Sequence, residues 1–295
     1  MSNQPMGFLN INKPAGWTSH DVVAKVRRFL RQETGLKKVG HAGTLDPMAT
    51  GVLLLCIGDA TRLSDYVMHG IKQYRAIVQF GETTDTYDAE GEILKTRDAT
   101  HLTEQHILDI LPQFTGQLAQ IPPMYSAIKQ NGKKLYELAR EGKEVVRPPR
   151  DITIHQLELI DSDPPCFTLD VTCSAGTYIR SLAYDMGNAL ETGAHLAGLI
   201  RTRSGTFSLD EAVSIETVLE ASDWEQYLTA PYDALSDYAS ITLSDEQTAA
   251  LRHGKFIPRT DNIPDPVMAY LPDKRLAAIL ATRDTLWKPR RVFLK

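Results

Sequence analysis

Asp46 stands in a setting that would hold a carboxylate still. It lies within Val39-Gly40-His41-Ala42-Gly43-Thr44-Leu45-Asp46-Pro47-Met48-Ala49-Thr50-Gly51. Glycines free the backbone on both sides, Pro47 fixes φ immediately after it, and the same proline pushes Asp46 away from helical dihedrals. The apolar run 52–57 behind the loop reads as a buried strand. A carboxylate at the mouth of such a strand can be a nucleophile, a general base, a metal ligand or a turn residue, and these residues alone leave the four open. Arg180 adds a constraint, because it falls in the first turn of a predicted helix, where the dipole disfavours a cation. A carboxylate opposite would account for it; an exposed, unpaired arginine is the alternative. Tyr74 belongs to an alternating strand and by itself reads as an aromatic at the edge of the core. A magnesium-dependent phosphatase would want a second carboxylate beside Asp46, but Pro47 and Met48 follow, and the eight histidines contain no HExxH.

The elements that must position these residues follow from periodicity. Residues 8–11 predict a short strand, Lys13-Pro14-Ala15-Gly16 a turn, and the next stretch a helix capped by Thr18 or Ser19, with Asp21 in its first turn and Val22, Val23, Val26, Phe29 and Leu30 at helical spacing. Residues 61–69 read as a helix stopped by Gly70. Tyr74, Ala76, Val78 and Phe80 share one face of a strand, and 103–114 reads as a helix. Residues 121–128 are extended, Asn131-Gly132 is a turn, 135–141 is a basic amphipathic segment, and Pro148-Pro149 ends an excursion that reads as an insertion. Phe167, Leu169, Val171 and Cys173 alternate as a core strand that turns through Ser174-Ala175-Gly176 into a helix capped by Thr177. Residues 199–207 are strand-like and Ser214 caps a short helix. From about residue 240 come a helix over 244–253 and strands over 268–271, 276–281 and 291–294. The expected organisation is a large domain over 1–239 carrying an insertion at about 123–150, then a small β-rich domain over 240–295.

The 295 residues are 42% hydrophobic and 23% charged, ordinary for a folded globular chain, and no apolar run approaches the roughly 20 residues of a membrane helix. The start, MSNQPMGFLN, lacks a basic segment followed by an apolar core, so no signal peptide is indicated. Cys56, Cys166 and Cys173 form no CxxC pair, which suits reduced thiols in the cytoplasm. Net charge is −5, yet residues 123–150 carry seven basic side chains against three acidic ones. That stretch, with Lys129, Lys133 and Lys134 at its tip, is the most basic in the chain and suits phosphate contacts. Smaller groups at Arg27, Arg28, Arg31, Lys37 and Lys38, at Arg201 and Arg203, and at Lys288, Arg290, Arg291 and Lys295 each read as a solvated face.

Taken in order, Asn12-Lys13-Pro14-Ala15-Gly16-Trp17-Thr18-Ser19, Gly43-Thr44-Leu45-Asp46-Pro47, Tyr74 and Gly176-Thr177-Tyr178-Ile179-Arg180 make the chain resemble the tRNA pseudouridine-55 synthases, the TruB family, of the bacterial stand-alone type. The C-terminal segment is similar to a PUA RNA-binding domain. The resemblance implies an α+β fold with a mixed, largely antiparallel sheet and flanking helices. It implies isomerisation of a uridine in the T loop of tRNA, the base detached from C1′, rotated and rejoined through C5, with no cofactor and no metal. Asp46 matches the catalytic aspartate, Arg180 the arginine paired with it, Tyr74 the tyrosine stacking on the target base, and His41 a histidine holding the RNA with its base extruded; Tyr178 and Leu199 would line the pocket. It implies a monomer that takes the tRNA T stem-loop with no obligatory protein partner and no membrane. The residues suit these roles. An arginine near Asp46 would keep it ionised and oriented, and an extruded base needs a new stacking surface. Whether Asp46 attacks C6, attacks C1′ or removes a sugar proton stays open, as does a general-base role for Tyr74.

Overall fold

The computed structural model describes residues 5–130, 132–259 and 262–294; Asn131 of the predicted turn, Lys295 of the last basic group and the first four residues of the N-terminal stretch lie outside the described residues. In chain order the elements are β1 (Gly7–Lys13), α1 (Ser19–Thr34), β2 (Val39–Ala42), β3 (Thr50–Ile57), a 3₁₀ turn (Gly58–Leu63), α2 (Ser64–Met68), β4 (Lys72–Phe80), β5 (Glu82–Thr84), β6 (Ile93–Thr96), α3 (Glu104–Ile110), β7 (Gly116–Gln120), β8 (Lys129–Gln130), β9 (Lys133–Lys134) and α4 (Leu135–Arg140). There follow β10 (Arg150–Asp163), β11 (Cys166–Cys173), α5 (Ile179–Ala189), β12 (Ala194–Ser204), β13 (Phe207–Ser208), α6 (Ile215–Glu220), β14 (Leu228–Thr229), α7 (Pro231–Ala234), β15 (Ser240–Thr242), α8 (Asp245–Arg252), β16 (Ile257–Pro258), β17 (Val267–Tyr270), β18 (Leu276–Arg283) and β19 (Leu286–Val292).

Among the described residues ten strands form one sheet, whose main path runs β14-β1-β3-β12-β4-β11-β10-β7, with β2 beside β3 and β13 beside β12. All its pairings are antiparallel except β3 with β12. The architecture is therefore the expected α+β, with a mixed and largely antiparallel sheet. One parallel junction joins the Asp46 loop to β12, since β3 leaves that loop and pairs Gly51 with Arg201. Gly51 sits at φ +96°, and a Cβ there would collide with the Arg201 backbone, so only glycine permits the approach. One face of the sheet carries the larger core, where Val22, Val26 and Leu30 of α1, Ile107 of α3, Leu182 and Met186 of α5 and Ile215 of α6 pack on Leu53, Leu55, Ala76, Val78 and Leu169. The other face of β1 and β3, through Phe8, Val52 and Leu54, packs with α2 and with Met268, Tyr270, Leu276 and Ile279 of a second, five-stranded sheet ordered β15-β17-β18-β19-β16.

Several expectations need correction. Residues 61–63 are the end of a 3₁₀ turn and only Ser64–Met68 is α-helix, so 61–69 is not one helix. The strand expected over 199–207 begins at Ala194 and breaks at a turn before β13, and the last strand is Leu286–Val292 rather than 291–294. Thr177 does not cap α5. Its hydroxyl donates to Ser174 O at 2.9 Å, and Tyr178 stands at the cap position, its amide donating to Gln120 Oε1 (2.8 Å) while its carbonyl accepts from Gln120 Nε2 (3.0 Å). A side chain on the neighbouring β7 thus satisfies the end that a local cap would otherwise serve.

Candidate active site

The Asp46 loop is held by its carbonyls. Arg201, which is 2% exposed and not the solvated side chain expected of it, donates from Nε to Val52 O (2.7 Å), from Nη2 to Gly43 O (3.0 Å) and from Nη1 to Thr44 O (3.3 Å). Ser19, the first residue of α1, accepts from Leu45 N (2.9 Å) and donates to Leu45 O (3.1 Å). Asp46 O takes the amide of Ala49 at 3.1 Å. Pro47 O takes both the Gly16 amide (2.9 Å) and Lys13 Nζ (3.1 Å). Lys13 is fully buried and also donates to Pro14 O and Trp17 O; burial pulls its pKa down to about 8, against the attraction of Asp46. Five consecutive carbonyls, Gly43 to Pro47, therefore have donors; Ser19 anchors α1 to the loop, and a capping box between Thr18 and Asp21 closes the helix's own first turn. The 12–19 motif thus acquires a physical reason, because its turn and its helix start form the bed on which the Asp46 loop lies.

Arg180 is the hub. Its Nε lies 2.9 Å from Asp46 Oδ2 and its Nη2 3.1 Å from Asp46 Oδ1, a side-on pair. The Arg180 side chain is 5% exposed and that of Asp46 33%, so the carboxylate keeps an open side. Arg180 Nη1 also reaches Asp88 Oδ2 (3.4 Å) and Thr86 O (3.1 Å), and Nη2 donates to Tyr125 O at 2.8 Å. Asp88 is itself buried and takes the Thr86 hydroxyl at 2.6 Å. Burial pushes the Asp46 carboxyl above its usual range, the Arg180 guanidinium opposes that, and the nearby Asp88 charge adds to the upward push. The second carboxylate missing from the sequence around Asp46 is therefore supplied by Asp88, but a guanidinium lies between the two. Nothing local in Thr86-Tyr87-Asp88 signals this role; the missed Lys13 and Arg201 are likewise charges that only tertiary pairing buries.

The other expected residues group around this pair in varying degree. Tyr74 pairs across the sheet with Arg201 and Val171, and burial lifts its phenol above 10, with Arg201 opposing. Tyr178 stands one residue before α5 and two before Arg180; burial raises its phenol too, opposed by Ser126, Arg150 and Arg180. Leu199 is 8% exposed and lies beside Ala76 in the register of β12 with β4. His41 packs edge-on to His20 (5.2 Å), its Nδ1 is buried without a partner, and burial draws its pKa down to about 4. Among the described residues, no hydrogen bond or ion pair joins His41, Tyr74 or Leu199 to Asp46. Of the three insertion lysines, Lys133 pairs with Glu141 (3.2 Å) and Lys134 donates to the Tyr136 hydroxyl (3.1 Å), while Lys129 faces solvent across from Lys134. Among the described residues no group of three or more His, Cys, Asp or Glu side chains is placed to hold a metal ion, and no helix is long and apolar enough to cross a membrane.

Comparison with known proteins places this geometry. Residues 31–179 match the TruB family pseudouridylate synthase N-terminal domain, and residues 180–238 match the tRNA pseudouridylate synthase B C-terminal domain. The chain belongs to the TruB family. It is therefore a pseudouridine synthase, an isomerase of uridine in RNA. The tRNA pseudouridine synthase B of Symbiobacterium thermophilum is 49% identical over 251 residues, covering 84% of this chain and 82% of that one. Its namesake in Synechocystis is 47% identical over 254 residues, covering 84% of each chain. Among solved structures, a Cbf5-Nop10-Gar1 complex matches with a TM-score of 0.74 at 25% identity, over 97% of this chain and 84% of that one. A chain of an H/ACA RNP bound to a substrate RNA containing 2'-deoxyuridine shares the fold at the same TM-score and 22% identity, over 98% and 85%. The TruB-family boundary between the two matched segments falls between Ile179 and Arg180, within the first turn of α5.

Proposed function

We propose that the chain isomerises uridine 55 in the T loop of tRNA, with Asp46 as the catalytic carboxylate. The observation that carries this reading is the Asp46–Arg180 pair, one carboxylate with an open side, gripped by a buried guanidinium on a loop whose carbonyls from Gly43 to Pro47 are engaged. In the reaction the N1–C1′ bond breaks, the uracil turns, C5 bonds to C1′, the C5 hydrogen leaves as a proton, and N1 takes up a proton, so the product is an isomer of the substrate. Asp46 serves it as nucleophile toward the base or the sugar, or as a base on the sugar. Arg180 orients the carboxylate, Tyr74 stacks on the extruded base, Tyr178 and Leu199 line its pocket, and His41 occupies space the base vacates. The insertion, through Lys129 and its neighbours, contacts stem-loop phosphates, and residues 240–295 act as a PUA-like RNA-binding unit. The relatives named tRNA pseudouridine synthase B support tRNA as the substrate. The free Cys56, Cys166 and Cys173 fit work in the reducing cytoplasm, where we expect a monomer without an obligatory protein partner.

The test is tritium release from tRNA labelled at uridine C5, with excess chelator present. Asp46→Asn should bind tRNA with wild-type affinity, since phosphate contacts elsewhere supply most of it, and release no tritium. Turnover by that variant, with wild-type contamination excluded, would overturn the assignment of Asp46.

A further inference from the structure

The insertion reaches into the site as well as over it. Tyr125 lends its carbonyl to Arg180, and the next residue, Ser126, is 5% exposed with a buried hydroxyl that has no hydrogen-bond partner. Its backbone is not slack. The Ser126 amide donates to Met124 O at 2.9 Å, and its carbonyl accepts the Tyr136 amide of α4 at 3.1 Å. The hydroxyl is near enough to the Tyr178 phenol to favour its ionised form, yet the geometry falls short of a hydrogen bond. Tyr178 is meanwhile fixed through its main chain by Gln120, and its phenol feels the charges of both Arg180 and Asp46. Two hydroxyls, one from the insertion and one from the start of α5, thus meet near the Asp46–Arg180 pair, and the one on Ser126, which interacts with the Tyr178 phenol without a well-formed hydrogen bond, keeps capacity for a further partner. Buried polar groups are rarely left so, and a hydroxyl kept waiting at a site is best explained by a partner that arrives with the ligand.

Resting on the function proposed above, we propose that the Ser126 hydroxyl hydrogen-bonds the polar edge of the extruded uracil beside Tyr178, making it a specificity-determining residue that the insertion delivers to the base. Uracil offers two carbonyl acceptors and one N3–H donor along that edge, and a serine hydroxyl can serve either kind. Pockets built to hydrogen-bond a substrate group discriminate strongly against analogues lacking it.

The experiment measures single-turnover rates at saturating RNA for the full-length protein and for Ser126→Ala. The T stem-loops carry uridine, 2-thiouridine, 4-thiouridine or 3-methyluridine at the target position. Ser126→Ala should slow the uridine substrate about tenfold, the worth of one net hydrogen bond, with RNA affinity unchanged. On whichever analogue has lost the recognised group, the two proteins should react at nearly equal rates. Because the substitution deletes an unpartnered buried hydroxyl, the variant should melt no lower than wild type, whereas a structural serine would leave it less stable. An equal loss on all four substrates, no loss on uridine, or a lower melting temperature that Ser126→Thr restores without restoring the rate would each overturn the proposal. A wild-type protein inactive on the uridine stem-loop would instead overturn the functional reading beneath it.

Discussion

Arg180 is 5% exposed and stands between two carboxylates, which makes its removal a test of charge balance as well as of chemistry. Deleting one partner of a buried ionic group leaves the others uncompensated, at a cost of about 3–5 kcal/mol. Arg180→Met should therefore lower the denaturation midpoint clearly, and Arg180→Lys, which keeps the charge but loses the planar fork, should still damage turnover. The pH dependence has a definite sign. Burial holds the Asp46 carboxyl above its ordinary pKa, so the folded protein keeps that proton at pH values where the unfolded chain has released it. The stability this group contributes is then present at low pH and lost as pH rises from the ordinary carboxylate value through the raised one. Arg180 opposes the rise and narrows that window. In Arg180→Met the acid limb of the single-turnover rate should move to higher pH, and an unmoved limb would mean that the guanidinium does not govern Asp46. A carboxylate partner for Arg180 was suggested by the sequence because a cation in a helix's first turn is a local misfit, whereas Asp46 as that partner came from the family resemblance. Asp88 was not legible, since it reaches the site through a bridge to Leu196 that local pattern does not reveal.

At the scale of elements, periodicity located β4, β11 and α1 because each buries one regular face. It misplaced the ends that distant residues satisfy, such as the start of α5 with its Gln120 clasp. The insertion was legible from charge, but its internal pairing was not. Lys133 is paired with Glu141, which also takes Lys143 at 2.7 Å, whereas Lys129 is exposed on the first strand of the small hairpin. Each phosphate neutralised contributes roughly 0.7 to 0.9 to the slope of log affinity against log salt. Lys129→Ala should flatten the slope of tRNA binding by about one such step, Lys133→Ala by less because Glu141 already neutralises it, and the triple replacement with Lys134→Ala by at most about two to three units. Titrations at several salt concentrations read this directly. An unchanged slope in the triple variant would make the segment a solvated face rather than a phosphate grip.

The whole molecule is more unified than a two-domain reading of the sequence implies. The change of pattern near residue 240, to a capped helix followed by short strands, could be read in the sequence, but the contact surface could not, because the apolar residues facing outward from β1 and β3 look like any other buried strand positions. Phe8, Val52 and Leu54 share one core with Met268, Tyr270, Leu276 and Ile279 of the second sheet. Polar ties reinforce it. Arg62 donates to Val292 O at 2.9 Å and lies 4.5 Å over the Phe293 ring, and the Tyr238 hydroxyl donates to Tyr66 O at 2.7 Å just before that sheet begins. Burying a large apolar side chain contributes about 1.5–3 kcal/mol, so removing four of them uncovers a deficit on the order of the whole stability of an ordinary domain, about 5–15 kcal/mol. A chain ending at residue 239 should consequently melt well below the full-length protein and bind a hydrophobic dye at temperatures where the full-length protein does not. It should lose activity through unfolding as well as through any lost RNA contact. The two causes separate in Arg62→Ala with Tyr270→Ala, which weakens the junction while leaving the basic strand β19 in place. If that double variant and the truncated chain both melt within a few degrees of the full-length protein, the second sheet is an appendage and the shared core contributes little.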